Sequence, residues 1–293
     1  MYIFNKKILK NIFICLAALL IQTFILLDVV WCGENYTFST SPKIQSTALS
    51  PAINIYAQSF HEIIGKYIDS SFGDNYSNEQ RPPFLKALEF SDEDFAEAAK
   101  TKGLLEFRMH VIRECTLNCI YCLSNAPHIK SIKNIQFKKG DLSLEKRKSL
   151  VANAKKLGAK TVVITGSGDP LLYPDLDELI AYINMLGLRP VIFTSAILLT
   201  KKRAKYFYDN NVSLIVKLNS FIPKMQDHLV GVKGSSTHLR KRIEMLIKLG
   251  FTENRRLCIN SIISKDNYDE IPALFKFCRE NKIIPWIERI SIL

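Results

Sequence analysis

The sequence predicts an α/β protein whose main domain is an open barrel of six strand–helix units. From Leu104 onward, short apolar segments alternate with amphipathic segments of helical length. Alternation at this spacing indicates parallel strands joined by right-handed crossovers. Six units are too few to close an eight-stranded barrel, so we expect a partial (β/α)6 TIM-like barrel. A hydrophobic segment and a small helical extension precede it.

The predicted elements follow one another in a regular order. The strands are Leu105–Ile112, Thr161–Thr165, Pro190–Thr194, Leu214–Leu218, Leu257–Ile263 and Pro285–Ile290. The helices are Leu144–Leu157, Leu176–Leu186, Lys201–Asn210, Ser236–Leu249 and Tyr268–Asn281. Glycine or asparagine stands where several of these helices must end, which is typical of a helix C-terminus.

Residues 1–35 differ from the rest of the chain. Lys6, Lys7 and Lys10 precede an apolar run from Ile12 to Leu27. The run is short for a membrane span of about 20 residues and long for a signal-peptide core of roughly 7–15 residues. Three interpretations remain open: a membrane anchor through residues 12–31, a cleaved signal peptide, or a start codon assigned too early.

Residues 36–103 predict an extension that is mostly polar. Helical spacing of apolar residues favours helices over Ala52–Ile68 and Leu85–Lys100. The stretch Phe72–Pro83 is rich in Ser, Asn, Gly and Pro, and therefore indicates a linker. The core domain is expected over residues 104–293.

Composition indicates a globular protein with a basic surface. Hydrophobic residues make up 47% and charged residues 23% of the chain, which excludes a disordered class. The net charge of +12 favours anionic partners, nucleic acid among them. No nucleic-acid-binding motif and no aromatic–basic stripe supports RNA or DNA as the partner.

Three of the seven cysteines lie close together, directly after the first predicted strand. Cys115, Cys119 and Cys122 have the spacing C-x3-C-x2-C and are called the cysteine triplet below. Three thiolates can bind three irons of a cubane 4Fe–4S cluster and leave the fourth iron open, whereas structural clusters normally recruit four cysteines. Zinc is the rival interpretation, with His128 as a fourth ligand.

A glycine-rich turn follows the second predicted strand. It comprises Gly166, Ser167, Gly168 and Asp169, with Pro170 after it, and is called the glycine turn below. Glycines let a backbone approach a ligand closely, because no Cβ intervenes. An ordinary strand-to-helix turn is the alternative.

Together these two motifs resemble the radical S-adenosylmethionine (SAM) superfamily. The cysteine triplet with Tyr121 before its last member is similar to the family signature, and the glycine turn is similar to the "GGEP" motif, with Asp169 in place of Glu. The resemblance covers about Leu104 to Ile292. It implies that the triplet holds a 4Fe–4S cluster and that the glycine turn binds the amino group of SAM.

The resemblance extends to weaker positions at other strand ends. Lys217 lies where the family has an "SLD" strand end, and Asn260 resembles a polar residue that contacts the ribose or carboxylate of SAM. Tyr121 is expected to pack near the adenine. The remaining polar residues at strand ends are Ser195, Asn219, Ser220, Ser261 and Glu288.

The family resemblance implies a reaction class and partners. A flavodoxin- or ferredoxin-like donor would supply one electron, SAM would be cleaved reductively, and the resulting radical would abstract hydrogen from an unknown substrate. A peptide, protein or cofactor precursor is favoured over RNA, because Asn260 to Glu280 resembles the peptide-maturase and cofactor-cyclase branch. Those relatives often carry C-terminal cysteines, which this sequence lacks; that argues against the branch or for a truncated product.

A non-catalytic, membrane-anchored metal-binding protein is the alternative function. Lysines before the apolar run would place the following domain outside the cytoplasm. An oxygen-sensitive, SAM-dependent cluster favours the cytoplasm instead. We expect a cytoplasmic catalytic domain, with attachment to the membrane through residues 12–31 left open.

Overall fold

The computed structural model describes residues 84–124, 126–129, 135 and 141–289. All of them belong to one compact unit, Tyr67–Leu293. The predicted anchor, the helix Ala52–Ile68 and the linker Phe72–Pro83 lie outside the described residues. Within the described part of the chain, no helix combines the length and apolar character needed to cross a membrane.

Six parallel strands form a single sheet in which each strand pairs with its neighbour in the chain. The strands are β1 Glu106–His110, β2 Thr161–Thr165, β3 Arg189–Thr194, β4 Ser213–Lys217, β5 Leu257–Ile263 and β6 Ile284–Arg289. This order confirms the predicted open (β/α)6 architecture. The first strand ends two residues earlier than predicted.

Seven α-helices lie among the described residues. They are α1 Asp92–Thr101, α2 Leu144–Lys156, α3 Leu176–Met185, α4 Lys201–Asp209, α5 Pro223–Val230, α6 Ser235–Lys248 and α7 Ile271–Glu280. Helix α5 was not predicted, although Pro223 at its start and Gly231 after its end are typical of helix boundaries. Gly231 has a φ of 67°, the left-handed conformation that glycine adopts most easily.

Two predicted helices are each divided into two parts. The stretch predicted as Leu85–Lys100 forms a 3-10 turn over Lys86–Leu88 and then α1. Ser91 and Asp94 cap each other's backbone N–H groups at the start of α1, which fixes a new helix beginning at that point. Likewise, a 3-10 turn over Tyr268–Glu270 precedes α7.

Both faces of the sheet are covered toward the N-terminal ends of its strands. The outer face packs against the helices through Val162, Ile164, Ile192, Leu214, Val216, Leu257 and Ile259. The inner face packs Val163, Val191, Ile215 and Cys258 against Leu85 and Ala87. The segment before α1 therefore closes the N-terminal end of the barrel.

Candidate functional site

The cysteine triplet lies on the loop that follows β1, at the C-terminal edge of the sheet. All three thiols are half-buried and free. The backbone N–H of Cys115 donates to the Pro127 carbonyl at 3.0 Å, and the Ile129 N–H donates to the Cys115 carbonyl at 2.9 Å. A short parallel bridge thus fixes the start of the loop.

The middle of this loop is bound to the end of α5. The N–H groups of Asn118 and Ile120 donate to the carbonyls of Val230 and Leu229 at 3.0 and 3.1 Å. These are carbonyls of the last helical turn, which have no partner inside the helix. A Cβ at Gly231 would overlap the Asn118 carbonyl. The loop and α5 can therefore meet only because this position is glycine.

The glycine turn packs against the backbone that leads into the triplet. The Gly168 N–H donates to the Ile112 carbonyl at 3.2 Å, and the Asp169 N–H donates to the Glu114 carbonyl at 3.0 Å. A Cβ at Gly168 would overlap the Glu114 carbonyl, and one at Gly166 would lie 2.9 Å from the Ile112 oxygen. The glycines thus allow the backbone that leads into the cysteine loop to pack closely against the turn. The sequence had suggested only that the turn approaches a ligand closely.

The Asp169 carboxylate joins the glycine turn to the end of β3. Its Oδ1 accepts hydrogen bonds from the Leu171 N–H at 3.0 Å and from the Thr194 hydroxyl at 2.7 Å. Its Oδ2 accepts from the Ser195 N–H at 3.0 Å and from the Ser195 hydroxyl. The side chain is buried, and these four donors define a positioning role. The contact of Asp169 with SAM stays a prediction, and so does the contact of the half-buried Ser167 with SAM.

Lys217 and Asn260 meet on the inner face, where β4 and β5 pair. The Lys217 ammonium donates to the Asn260 amide oxygen, lies 3.6 Å from a Glu288 carboxylate oxygen, and lies 5.9 Å from the centre of the Tyr121 ring. Burial lowers the pKa of Lys217, while the Glu288 charge opposes that shift. The structure therefore brings together three residues that the sequence predicted for SAM: Tyr121, Lys217 and Asn260.

Burial also lowers the acidity of Cys115 and Cys119. It raises the pKa of Cys115 to about 12, with a further contribution from the Asp169 charge, and it raises the pKa of Cys119. Bound metal cations favour the thiolate form that burial disfavours. The Cys115 sulfur also accepts the Leu117 N–H at 3.4 Å, the kind of hydrogen bond that tunes cluster sulfurs. This donor set fits an iron–sulfur cluster.

His128, the possible fourth ligand, lies beside Cys115 in the short bridge. Its Nδ1 is 3.4 Å from the Leu117 carbonyl oxygen. Within the described ranges, no group of three or more His, Cys, Asp or Glu side chains is arranged to hold a single metal ion.

Sequence reasoning missed a set of amide and carboxylate groups behind the loop after β4. The Gln226 side-chain oxygen accepts the N–H groups of Asn219 and Ser220 at 2.9 and 3.0 Å. The Glu270 carboxylate accepts the Ser220 hydroxyl at 2.5 Å and the Phe221 N–H at 2.7 Å. Gln226 lies on the unpredicted helix α5, so no spacing in the sequence indicated this network.

Comparison with known proteins identifies relatives of the barrel domain. The family described as the Radical SAM superfamily matches residues 109–278. The chain is 29% identical to Fe-coproporphyrin III synthase of Methanosarcina barkeri over 174 residues, 59% of this chain and 41% of that protein. It is 27% identical to a probable GTP 3′,8-cyclase of Methanococcus maripaludis over 180 residues, which are 61% of this chain and 57% of that protein. The chain spans about half the length of the curated relatives it matches.

Solved structures share the fold. The crystal structure of SuiB from Streptococcus suis has a TM-score of 0.52 and 22% identity, covering 81% of this chain and 52% of that chain. The structure of SuiB bound to S-adenosylmethionine also has a TM-score of 0.52, with 24% identity, covering 82% of this chain and 53% of that chain.

Radical SAM proteins use a 4Fe–4S cluster together with SAM, the two cofactors that the sequence motifs implied. The family match covers more than half of the chain and includes both motifs and strands β2 to β5. The chain therefore belongs to the radical SAM superfamily.

Proposed function

We propose that the chain is a radical SAM enzyme in which the cysteine triplet holds a 4Fe–4S cluster with one iron open to SAM. The observation that carries this proposal is the position of three half-buried thiols on one loop at the C-terminal edge of the sheet, bound on one side to α5 and on the other to the glycine turn. When bound, the cluster and SAM supply the one-electron chemistry that starts hydrogen abstraction.

In this proposal the neighbouring residues orient SAM. The glycine turn takes the amino group of SAM, and its backbone carbonyls serve as acceptors because the Asp169 carboxylate already accepts four hydrogen bonds. Lys217 offsets the negative charge of the thiolates and of the SAM carboxylate. Asn260 and Tyr121 complete the site with an amide and an aromatic ring.

Electron transfer requires a donor to approach the cysteine loop. Ile120 and Leu123 are 57% and 71% exposed on this loop, next to Cys119 and Cys122. Exposed apolar side chains of this kind are suited to a protein contact. We assign the contact of a flavodoxin- or ferredoxin-like donor to this surface.

For the substrate, we favour a cofactor precursor or a peptide over RNA. The sequence relatives are named as enzymes of Fe-coproporphyrin III, heme and GTP chemistry, and SuiB has been solved bound to a precursor peptide, SuiA. On the inner face, Phe193 and Trp286 form an edge-to-face pair with ring centres 5.5 Å apart, and Glu288 is 42% exposed beside Lys217. An aromatic wall with a nearby charge suits such substrates. RNA is supported by net charge alone.

The proposed catalytic domain, residues 104–293, needs a reducing environment for its thiols, which favours the cytoplasm. The extension proposed over residues 36–103 includes Leu85 and Ala87, which pack against the inner face of the barrel. Attachment to a membrane through residues 1–35 stays a prediction from the sequence.

Anaerobic reconstitution with iron and sulfide tests the proposal. The wild-type protein should bind about four irons per chain and release 5′-deoxyadenosine from SAM after reduction. Replacing any one cysteine of the triplet with alanine should abolish this release. Cys278→Ala is the matched control, because Cys278 is a buried cysteine on α7 that packs in the hydrophobic core. Bound zinc in place of iron, or a complete cluster that never cleaves SAM, would contradict the proposal.

A further inference from the structure

We infer that Arg108 and His110 on β1 bind an acidic group of the substrate, and that the substrate is an aromatic compound carrying a carboxylate or a phosphate. The inference rests on the proposed function, because it names the substrate class of the proposed barrel site. It adds two residues of the first strand to that site, and neither of them belongs to the predicted SAM contacts.

Both residues project from β1 onto the inner face of the sheet. Successive side chains of a strand point to opposite faces, and Met109, which lies between the two, packs in the core on the outer face. In the parallel register Arg108 pairs with Val163, which packs in the inner core, and His110 pairs with Thr165. Their side chains therefore start from the same face, about 7 Å apart along the strand.

Both side chains are available to a ligand. Arg108 is 53% exposed, and His110 is exposed. The Arg108 Nε–H donates to the Glu106 carboxylate, which uses one of the five N–H donors of the guanidinium and orients it. Among the described residues, the His110 imidazole has no hydrogen-bond or ion-pair partner. The remaining guanidinium donors form the planar fork that binds carboxylates and phosphates, and the imidazole adds another donor.

The backbone that carries His110 is held in place from the outer side of the sheet. Arg147 on α2 is buried, and its guanidinium donates to the His110 carbonyl at 2.7 Å and to the Val111 carbonyl at 3.0 Å. A binding side chain on a fixed strand needs little ordering when the ligand arrives. The inner face of β1 therefore presents a preorganised position for an anion.

The aromatic part of the proposed substrate follows from Phe193 and Trp286. These residues belong to β3 and β6, which are separated by two strands in the sheet, yet their rings meet edge to face with centres 5.5 Å apart. The sheet is therefore curved enough for its inner face to surround one space. Both rings pack on the inner core and are half-buried, so part of each ring stays open. A planar ring can pack on this aromatic surface with its acidic group directed to β1.

Anaerobic equilibrium dialysis of the reconstituted protein with SAM tests the anion contact. The probes are naphthoate, naphthyl phosphate and the neutral naphthylmethanol, and the wild-type protein should bind at least one anion more tightly than the neutral probe. Arg108→Gln should weaken that anion about five- to tenfold and leave the neutral probe unchanged, and His110→Leu should give a smaller loss. Lys241→Gln, which removes the same charge from an exposed position on α6, is the control.

A further variant tests the aromatic contact. Trp286→Leu should weaken all three probes, because each carries the same ring. Unchanged binding in this variant would overturn the inferred substrate class. Absence of any preference for an anion in the wild type, or a loss in Arg108→Gln no larger than in Lys241→Gln, would overturn the anion contact. Failure of the wild-type protein to assemble a 4Fe–4S cluster or to cleave SAM would instead refute the proposed function.

Discussion

At the scale of single residues, close packing rather than ligand contact explains the glycine turn. Gly168 allows the backbone of one loop to lie against that of another, and Asp169 then bonds across to β3. The cysteine triplet and the glycine turn are separate motifs in the sequence, but in the structure they are parts of one packed unit. A substitution in the glycine turn should therefore perturb the cysteine loop before it perturbs other parts of the structure.

Gly168→Ala should reduce cluster incorporation. The new methyl group would overlap the Glu114 carbonyl and lie 2.6 Å from the Arg113 carbonyl oxygen, both on the backbone leading to Cys115. Overpacking of this kind costs about 1–3 kcal/mol of folding free energy. We expect less iron per chain after reconstitution and a lower urea midpoint of the unreconstituted protein.

Gly187→Ala is the comparison for this variant. Gly187 follows helix α3, and no atom of the described residues lies within 4 Å of the position that an added Cβ would take. The cost of this substitution is therefore limited to the left-handed backbone, roughly 1–2 kcal/mol. Its iron content should match the wild type. Full iron content in Gly168→Ala would show that the cysteine loop can move away from the turn.

At the scale of elements, the segment before α1 belongs to the barrel. The Lys86 N–H donates to the Arg255 carbonyl at 2.9 Å, and the Arg255 guanidinium pairs with the Glu89 carboxylate at 3.0 and 2.8 Å. Leu85 and Ala87 fill the inner face between the strands. The segment therefore covers the N-terminal end of the barrel, where another helix or loop would otherwise be needed to cover the core.

Leu85→Ala should destabilise the whole barrel. Leu85 is 3% exposed, and truncating a buried leucine costs about 2–5 kcal/mol. The urea midpoint should fall accordingly. Phe95→Ala, on the 56% exposed Phe95 of α1, is the control and should change stability far less. Equal effects of the two substitutions would mean that Leu85 does not form part of the core.

Periodicity made most of these elements predictable. Strands β2 and β5 have the predicted bounds, because their apolar runs are flanked by polar turns. Helix α5 has only eight residues, too few for a clear helical period of apolar residues, and it contacts a loop more than a hundred residues earlier in the chain. Contacts such as Asn219 to Tyr121 arise only when strand ends converge, so local pattern contains no signal for them.

At the scale of the whole molecule, charge and fold act together. Parallel strands bring the cysteine loop, the glycine turn and Lys217 to one edge, although they are far apart in the chain. The net charge of +12 makes the chain as a whole strongly basic. If the proposed electron donor is acidic, this charge should accelerate its association with the chain.

The rate of cluster reduction by an acidic flavodoxin should therefore fall as salt concentration rises. Attraction between opposite charges accelerates association at low ionic strength, and salt screens it over a Debye length of about 10 Å at 0.1 M. Anaerobic stopped-flow measurements between 50 and 300 mM salt should show a several-fold decrease in the second-order rate constant. Photoreduction by an uncharged deazaflavin is the control and should depend little on salt. A rate with flavodoxin that stays constant or increases with salt would mean that apolar contact at Ile120 and Leu123, rather than the overall charge, governs how the donor reaches the cluster.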